Sequence, residues 1–422
     1  MHSGAVTAVT LTLVLVILTA LAFDFTNGFH DTANAMAASI STGALTPKVA
    51  VGLSAILNLV GAFLSVEVAL TVSNAVVKIQ NKDGSPIDAL ANDGGQTLLL
   101  IVMAGLAGGI LWNLFTWLLG LPSSSSHALL GGLTGSTVAA LGWAGVKWIG
   151  DGTKLDGVVG KVLLPSFISP VIAMFIAFLG CWLVHRITNA VAHKLNDRHF
   201  RWGQIGSASL VSLAHGTNDA QKTMGVMTLA LMASGHWSDT HSVPFWVKVS
   251  AATAIAAGTY LGGWRIIRTL GKGLVDITPR QGMASDGATA SVLMAASHLG
   301  FALSTTHVAT GSVLGGGLGR GTHVRWGTAG RMVTAWATTF PLAGLVGAIM
   351  FWIGHVIGGG AGAVVVFLLL AAGSYWMFHK SREQKVDHSN VNAAWDHPDD
   401  VLDQHAPDHA GTHENPTSDL KV

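Results

Sequence analysis

The sequence predicts an all-α, polytopic membrane protein of about 10 to 12 spans, built as two inverted-topology repeats with broken or re-entrant helices. Three observations carry this expectation. The 422 residues include 23 basic and 22 acidic side chains, against 50% hydrophobic residues and a mean hydropathy of +0.51. Long apolar runs follow one another from residue 5 to residue 379. Two pairs of polar clusters recur in the same order inside those runs. Charged residues make up 11% of the chain, where a soluble domain carries roughly 25%. Residues 380–422 alone hold 13 of the charges, so the first 379 residues carry only 32. So little charge excludes a soluble enzyme, and a net charge of +1 excludes nucleic acid as a partner, since no basic excess faces a phosphate backbone.

Each apolar segment is near the 20 or so residues that a lipid bilayer requires. They fall near 5–26, 47–73, 97–120, 128–149, 165–185, 204–234, 244–262, 285–303, 332–356 and 361–379. The first, Val6 to Phe23, has no positive region before it and no small-residue cleavage site, so it reads as a span and not as a removed signal peptide. The 52 glycines suit helices that approach closely in lipid. One cysteine, Cys181, excludes a disulfide framework and a thiolate metal site.

Orientation follows from Lys and Arg in short loops. Four basic clusters are placed inside the cell: Arg186, Lys194, Arg198 and Arg201; Arg265, Arg268, Lys272 and Arg280; Arg320, Arg325 and Arg331; Lys380, Arg382 and Lys385. The loop 74–96, with Asp83, Asp88 and Asp93, then lies outside with the N-terminus, and the C-terminus lies inside. The chain divides into a first repeat over 1–164, a linking span and cytoplasmic basic loop over 165–203, a second repeat over 204–331 and C-terminal spans over 332–379. The polar remainder, 380–422, reads as a disordered cytoplasmic tail. Its histidines, His388, His397, His405, His409 and His413, lack the helical spacing of a metal site.

The repeated clusters carry the chemistry. Asp31 lies in Asn27-Gly28-Phe29-His30-Asp31-Thr32-Ala33-Asn34, and Asp219 in His215-Gly216-Thr217-Asn218-Asp219-Ala220-Gln221-Lys222, at an offset of 188. Downstream, Ser124-Ser125-Ser126-His127 matches Ser304-Thr305-Thr306-His307 at an offset of 180. A carboxylate inside a membrane segment is costly and marks an ion or substrate site. Gly28 and Gly216 are expected to break their helices, freeing backbone carbonyls for a cation. Asn34 shares a helical face with Asp31. The hydroxyls are uncharged donors at helix starts, an arrangement that cradles an anion; capping alone accounts for one Ser or Thr in each copy, not for three or four. Lys222 can pair with Asp219 or touch an anion directly. His127 and His307 can carry protons or donate to a nearby carbonyl.

These clusters resemble the signatures of the PiT-type inorganic phosphate transporters, which repeat a Gly-Ala-Asn-Asp-x-Ala-Asn-Ala-like motif once per half. The resemblance covers nearly all of residues 5–379. It implies an inverted-repeat fold, phosphate as substrate and a coupling cation. By position it makes Asp31, Asn34 and Asp219 cation-binding, with Asn218 and His30 beside them. It makes Ser124, Ser125, Ser126, Thr305 and Thr306 phosphate-binding, with Lys222 next to them. His30 stands where sodium-coupled members have Asn, and Gln221-Lys222 stands where they continue with Ala-Asn. Both departures are similar to the bacterial low-affinity, proton-coupled branch.

The expected function is a symporter that imports inorganic phosphate across the plasma membrane with protons, or carries it as a neutral metal-phosphate complex. The alternatives are a sodium-coupled phosphate symporter and a sulfate or other oxyanion carrier on the same fold. No resident metal or organic cofactor is expected; the coupling ion is a proton or sodium, and the cargo can include a divalent metal. The partners are inorganic phosphate, the coupling cation and the lipid bilayer, with a homodimer left open. An intramembrane Ser-His hydrolase is disfavoured because Ser126 and His127 are adjacent and point apart on a helix.

Overall fold

The computed structural model describes residues 2–69, 93–149, 157–190, 197–239 and 241–392. Asp83, Asp88, Lys194, His397, His405, His409 and His413 lie outside the described residues. The described residues fold into helices, with no strand beyond an isolated bridge between Val275 and Val324. In chain order these are α1 (His2–Ser41), α2 (Pro47–Gly61), α3 (Gln96–Leu118), α4 (Ser125–Leu141), α5 (Leu164–Ala190), α6 (Asp197–Ala233), α7 (Phe245–Leu261), α8 (Trp264–Lys272), α9 (Pro279–His298), α10 (Thr305–Arg320), α11 (Trp326–Ile357) and α12 (Gly359–Ser381).

Local chemistry sets the helix starts. Pro47 and Pro279 stand in the first turn, where a missing N–H costs nothing. Gln281 reaches back to the Thr278 N–H at 2.8 Å and completes a capping box. Ser124 and Ser304 cap α4 and α10 by accepting from the N–H of His127 at 3.1 Å and of His307 at 3.2 Å.

Five helices among the described residues are long and apolar enough to cross a bilayer: Thr7–Ser41, Gln96–Leu118, Val159–Asn189, Trp326–Ile357 and Gly359–Ser381. Others, such as α6 and α9, bury many polar side chains, which lowers their mean hydropathy. The run expected at 128–149 is helical only to Leu141. At about 1.5 Å per residue, α4 and α10 are too short to cross the bilayer alone. Both begin deep in the protein, where Ser124 and Ser304 are buried.

Gly28 and Gly216 do not break their helices. α1 and α6 run unbroken through Asp31 and Asp219. The glycines serve close packing instead. A Cβ on Gly28 would come within 3.0 Å of the Ile255 carbonyl on α7, and one on Gly216 within 3.0 Å of the Asn58 carbonyl on α2. The breaks fall elsewhere, at 121–124 before α4 and 301–304 before α10.

Packing recurs in matched pairs. α1 lies on α7 as α6 lies on α2; α4 lies on α11 as α10 lies on α5. Gly61 meets the Leu213 carbonyl and Gly258 that of Phe25; Gly131 meets Phe340 and Gly311 meets Pro170. α1 and α6 also touch each other, running antiparallel. Thr42 donates to Gln204 at 2.8 Å near one end, and Thr223 to Asp24 at 2.7 Å beyond the middle.

The start of the predicted tail is packed, not disordered. Arg265 donates to the Ser381 carbonyl at 2.7 Å and to that of Gln384. Asn392 donates to the Ile40 carbonyl at 3.2 Å, and Val391 is buried beside Ile40 and Ile266. Uncapped helix-end carbonyls of α1 and α12 thus find donors in the adjoining segments.

Candidate functional site

The middle of α1, the middle of α6 and the N-termini of α4 and α10 converge on one buried polar cluster. Helical spacing does the presenting. Asp31 and Asn34 are three apart on α1, and His215, Asp219 and Lys222 are four and three apart on α6, so each set shares a face. Asp31, Asp219, Lys222 and His215 are each 1% exposed, so the cluster is sealed from solvent.

α10 links the two carboxylates. Thr305 Oγ1 lies 3.1 Å from Asp219 Oδ2 and 3.4 Å from Asp31 Oδ2, and Thr306 Oγ1 lies 3.4 Å from Asp31 Oδ1. The single proton of Thr305 serves one carboxylate at a time, and His215 Nε2 already faces Asp219 Oδ2 at 2.9 Å, so Asp31 Oδ2 is the oxygen left open when Thr305 turns to Asp219. Asn34 Nδ2 donates to Thr305 at 3.2 Å and to Thr306 at 3.0 Å, while its Oδ1 has no partner.

α4 serves His30 and Lys222. His30 Nδ1 is 2.7 Å from Asp31 Oδ1 and 3.4 Å from Ser125 Oγ. Its Nε2 is 3.3 Å from Thr116 and 3.4 Å from Ser123. Lys222 Nζ donates to Asp219 Oδ1, to Ser126 Oγ at 2.5 Å and to the Leu303 carbonyl at 2.9 Å. All three ammonium protons are therefore used, as a buried charge requires.

His215 Nε2 lies 2.9 Å from Asp219 Oδ2, and its Nδ1 lies 3.1 Å from Asn58 Oδ1 on α2. Ligand atoms of Asp31, His215 and Asp219 all lie within 4.8 Å of one another. Two carboxylate oxygens and an imidazole nitrogen at that separation are a donor set for a cation. The facing helix N-termini and hydroxyls suit an anion. The site can therefore accept opposite charges side by side.

The structure gathers Asp31, Asn34, Asp219, His30, Ser125, Ser126, Thr305, Thr306 and Lys222 around this point. It turns two expected residues elsewhere. Ser124 spends its hydroxyl as the cap of α4. Asn218 faces α9, donating to Ser297 at 3.1 Å and the Phe301 carbonyl at 3.4 Å. His127 and His307 face one another behind the hydroxyls, with ring centres 4.8 Å apart. His127 meets the Ser166 hydroxyl, and His307 lies 3.3 Å from the Ser166 carbonyl. The sequence reading did not assign His215, Asn58, Thr116 or Ser123 to the site. Of these, His215 carried a signal, its place four residues before Asp219, and Ser123 carried one as the first of the serines at 123–126.

Comparisons with known proteins fit this arrangement. Residues 27–347 match the phosphate transporter family. A Mycobacterium bovis protein described as a probable low-affinity inorganic phosphate transporter is 58% identical over 388 residues, covering 91% of this chain and 87% of its own. A Bacillus subtilis protein of the same description is 39% identical, covering 82% and 97%. A solved structure titled as the sodium-dependent phosphate transporter shares the fold, with a TM-score of 0.67 and 21% identity over 82% of this chain and all of that one. The chain belongs to the phosphate transporter family, and it is a membrane transporter and not an enzyme.

Proposed function

We propose that the protein is a secondary active symporter that imports inorganic phosphate across the plasma membrane together with protons. The observation that carries this reading is the meeting of Asp31 and Asp219 on one threonine hydroxyl, at 3.4 and 3.1 Å, between the N-termini of α4 and α10. Asp219 already pairs with Lys222, so a cation taken up beside Asp31 removes the remaining repulsion against an incoming anion. Cation and phosphate then bind together, and neither binds well alone. His30 against Asp31 supplies a proton-accepting pair beside the anion cradle.

Asp31, His215 and Asp219 also suit a divalent cation carried with phosphate as a neutral complex. The same site with sodium as the coupling ion is the alternative that the structural relative's title favours.

The repeats are inverted in topology on this reading. Repeat-related α1 and α6 run antiparallel, and repeat-related α4 and α10 meet N-terminus to N-terminus, where Ser126 donates to the Leu303 carbonyl at 3.1 Å. α5 joins the first repeat instead of linking the two, because its contact with α10 mirrors that of α11 with α4. Ten or more crossings, a cytoplasmic C-terminal segment and alternate exposure of the site by rocking of one repeat on the other complete the account.

Uptake of radiolabelled phosphate into proteoliposomes, competed with unlabelled phosphate or sulfate, tests the substrate. Phosphate donates a hydrogen bond to a carboxylate at neutral pH and sulfate does not, so phosphate is expected to compete and sulfate to be ineffective. Equal competition makes the protein a general oxyanion carrier.

A further inference from the structure

Asp24 is the other carboxylate on α1, with no exposed surface and no part in the cluster around Asp31. Its Oδ1 accepts from the Thr223 hydroxyl on α6 at 2.7 Å. Its Oδ2 is buried and has no partner. One turn along, Asn27 Oδ1 is likewise buried and without a partner. Asp24, Asn27, Asp31 and Asn34 are spaced i, i+3, i+7 and i+10, which puts them on one stripe of α1. On the N-terminal side of Asp24 the stripe continues as Ala20 and Val16, both fully buried.

Two orphan acceptors one turn apart in a dry interior are each costly. One added proton supplies the missing donor: a protonated Asp24 Oδ2–H stands one helical turn from the Asn27 Oδ1 acceptor, and Oδ1 still accepts from Thr223. A bare alkali ion is a poorer solution. Two side-chain oxygens and one hydroxyl are by themselves too few to replace a hydration shell.

The charged groups near Asp24 are Asp219 and Lys222 on α6, which already pair with each other. α3 carries no titratable side chain along its length. On α7, Lys248 is ten residues from Gly258, which touches Phe25, and so about 15 Å along the helix. α8, with its basic residues, packs beside Phe29 and Ala37, on the far side of Asn27.

We propose that Asp24 holds a proton shared with Asn27 and passes it to the Asp31–His30 pair during transport, serving as a proton station distinct from the ligand cluster. The transfer is a proton movement only: Asp24 Oδ2–H gives up its proton along the stripe, and the carboxylate is re-protonated when the next proton enters. The proposal rests on the proton-coupled reading above, and its test separates the two.

The test uses the full chain in proteoliposomes, as wild type, Asp24→Asn and Asn27→Leu. An amide at position 24 keeps the Thr223 bond and donates to Asn27, so it imitates the protonated carboxyl that cannot release its proton. Infrared difference spectra are expected to show a protonated-carboxyl carbonyl band in wild type, at a pH well above the ordinary carboxylate range. The band should be absent in Asp24→Asn and shifted in Asn27→Leu. Asp24→Asn is expected to bind phosphate as wild type does but to lose about 10²-fold in accumulation under an inward proton gradient. The proposal is overturned by a spectrum that Asp24→Asn leaves unchanged, by undiminished accumulation in Asp24→Asn, or by a band that appears only when sodium is removed. If wild type itself ignores the proton gradient, proton coupling fails, while the infrared band still decides whether Asp24 holds a proton.

Discussion

Asp31 and Asp219 are repeat-related, yet their surroundings are not equivalent. Asp31 faces an imidazole, His30, while Asp219 faces both Lys222 and His215. Asp31→Asn leaves no lysine or arginine buried without its counter-charge, so the variant should insert and fold. Asp219→Asn leaves the ammonium of Lys222 buried without its counter-charge, which costs about 3–5 kcal/mol. We predict that each variant loses gradient-driven uptake, that only Asp219→Asn also loses thermal stability, and that adding Lys222→Met restores its stability but not its uptake. Uptake near wild type in Asp31→Asn contradicts this assignment. At Thr305, loss of a hydrogen bond to a charged group is worth about 1.5–3 kcal/mol. Thr305→Ala should therefore weaken phosphate binding roughly ten- to a hundredfold, and Thr305→Ser should recover most of it; calorimetry on purified protein checks both.

At the scale of helices, the structure depends on carbonyl-to-glycine contacts. A Cβ on Gly216 collides with backbone of α2 that cannot rotate away. Gly216→Ala should destabilise the protein by about 1–3 kcal/mol, as overpacking does, whereas Gly52→Ala, with open space around it, should not. Thermal unfolding in detergent distinguishes them. The same contacts explain what could be read from the sequence and what could not. Asp31, Asp219 and the hydroxyl turns stood out because polar residues in apolar runs are costly and these recur at matched offsets. Gly28 and Gly216 misled because a glycine in a membrane helix serves equally for a break or a close contact, and the partner helix decides which. Asn58 and Thr116 are uncharged polar residues in mostly apolar helices, and nothing local separates a site residue from a helix-packing one. Asn218 has a site neighbour on its own helix, but the helix turns it toward α9.

Across the whole molecule, the segment after α12 joins the ends of α1 and α8. Asp387 is held well below the usual carboxylate range by the Ser389 hydroxyl and N–H, and by Lys385 at 3.1 Å. A depressed carboxylate adds stability above its unfolded value and loses it as pH falls through its folded value. The segment should therefore stay docked at neutral pH and loosen only in strong acid. Truncation after Asn392 should leave uptake and stability intact. Truncation after Gln384 removes Val391 and Asn392 and should lower the melting temperature.

On the proposed function, protons drive phosphate inward through the Asp31–Asp219 site. Radiolabelled phosphate uptake into sodium-free proteoliposomes, under an inward proton gradient with and without a protonophore, tests it most directly. Accumulation without sodium, collapsing when the protonophore is added, is the expected result. Uptake that ignores the protonophore and appears only with an inward sodium gradient contradicts it.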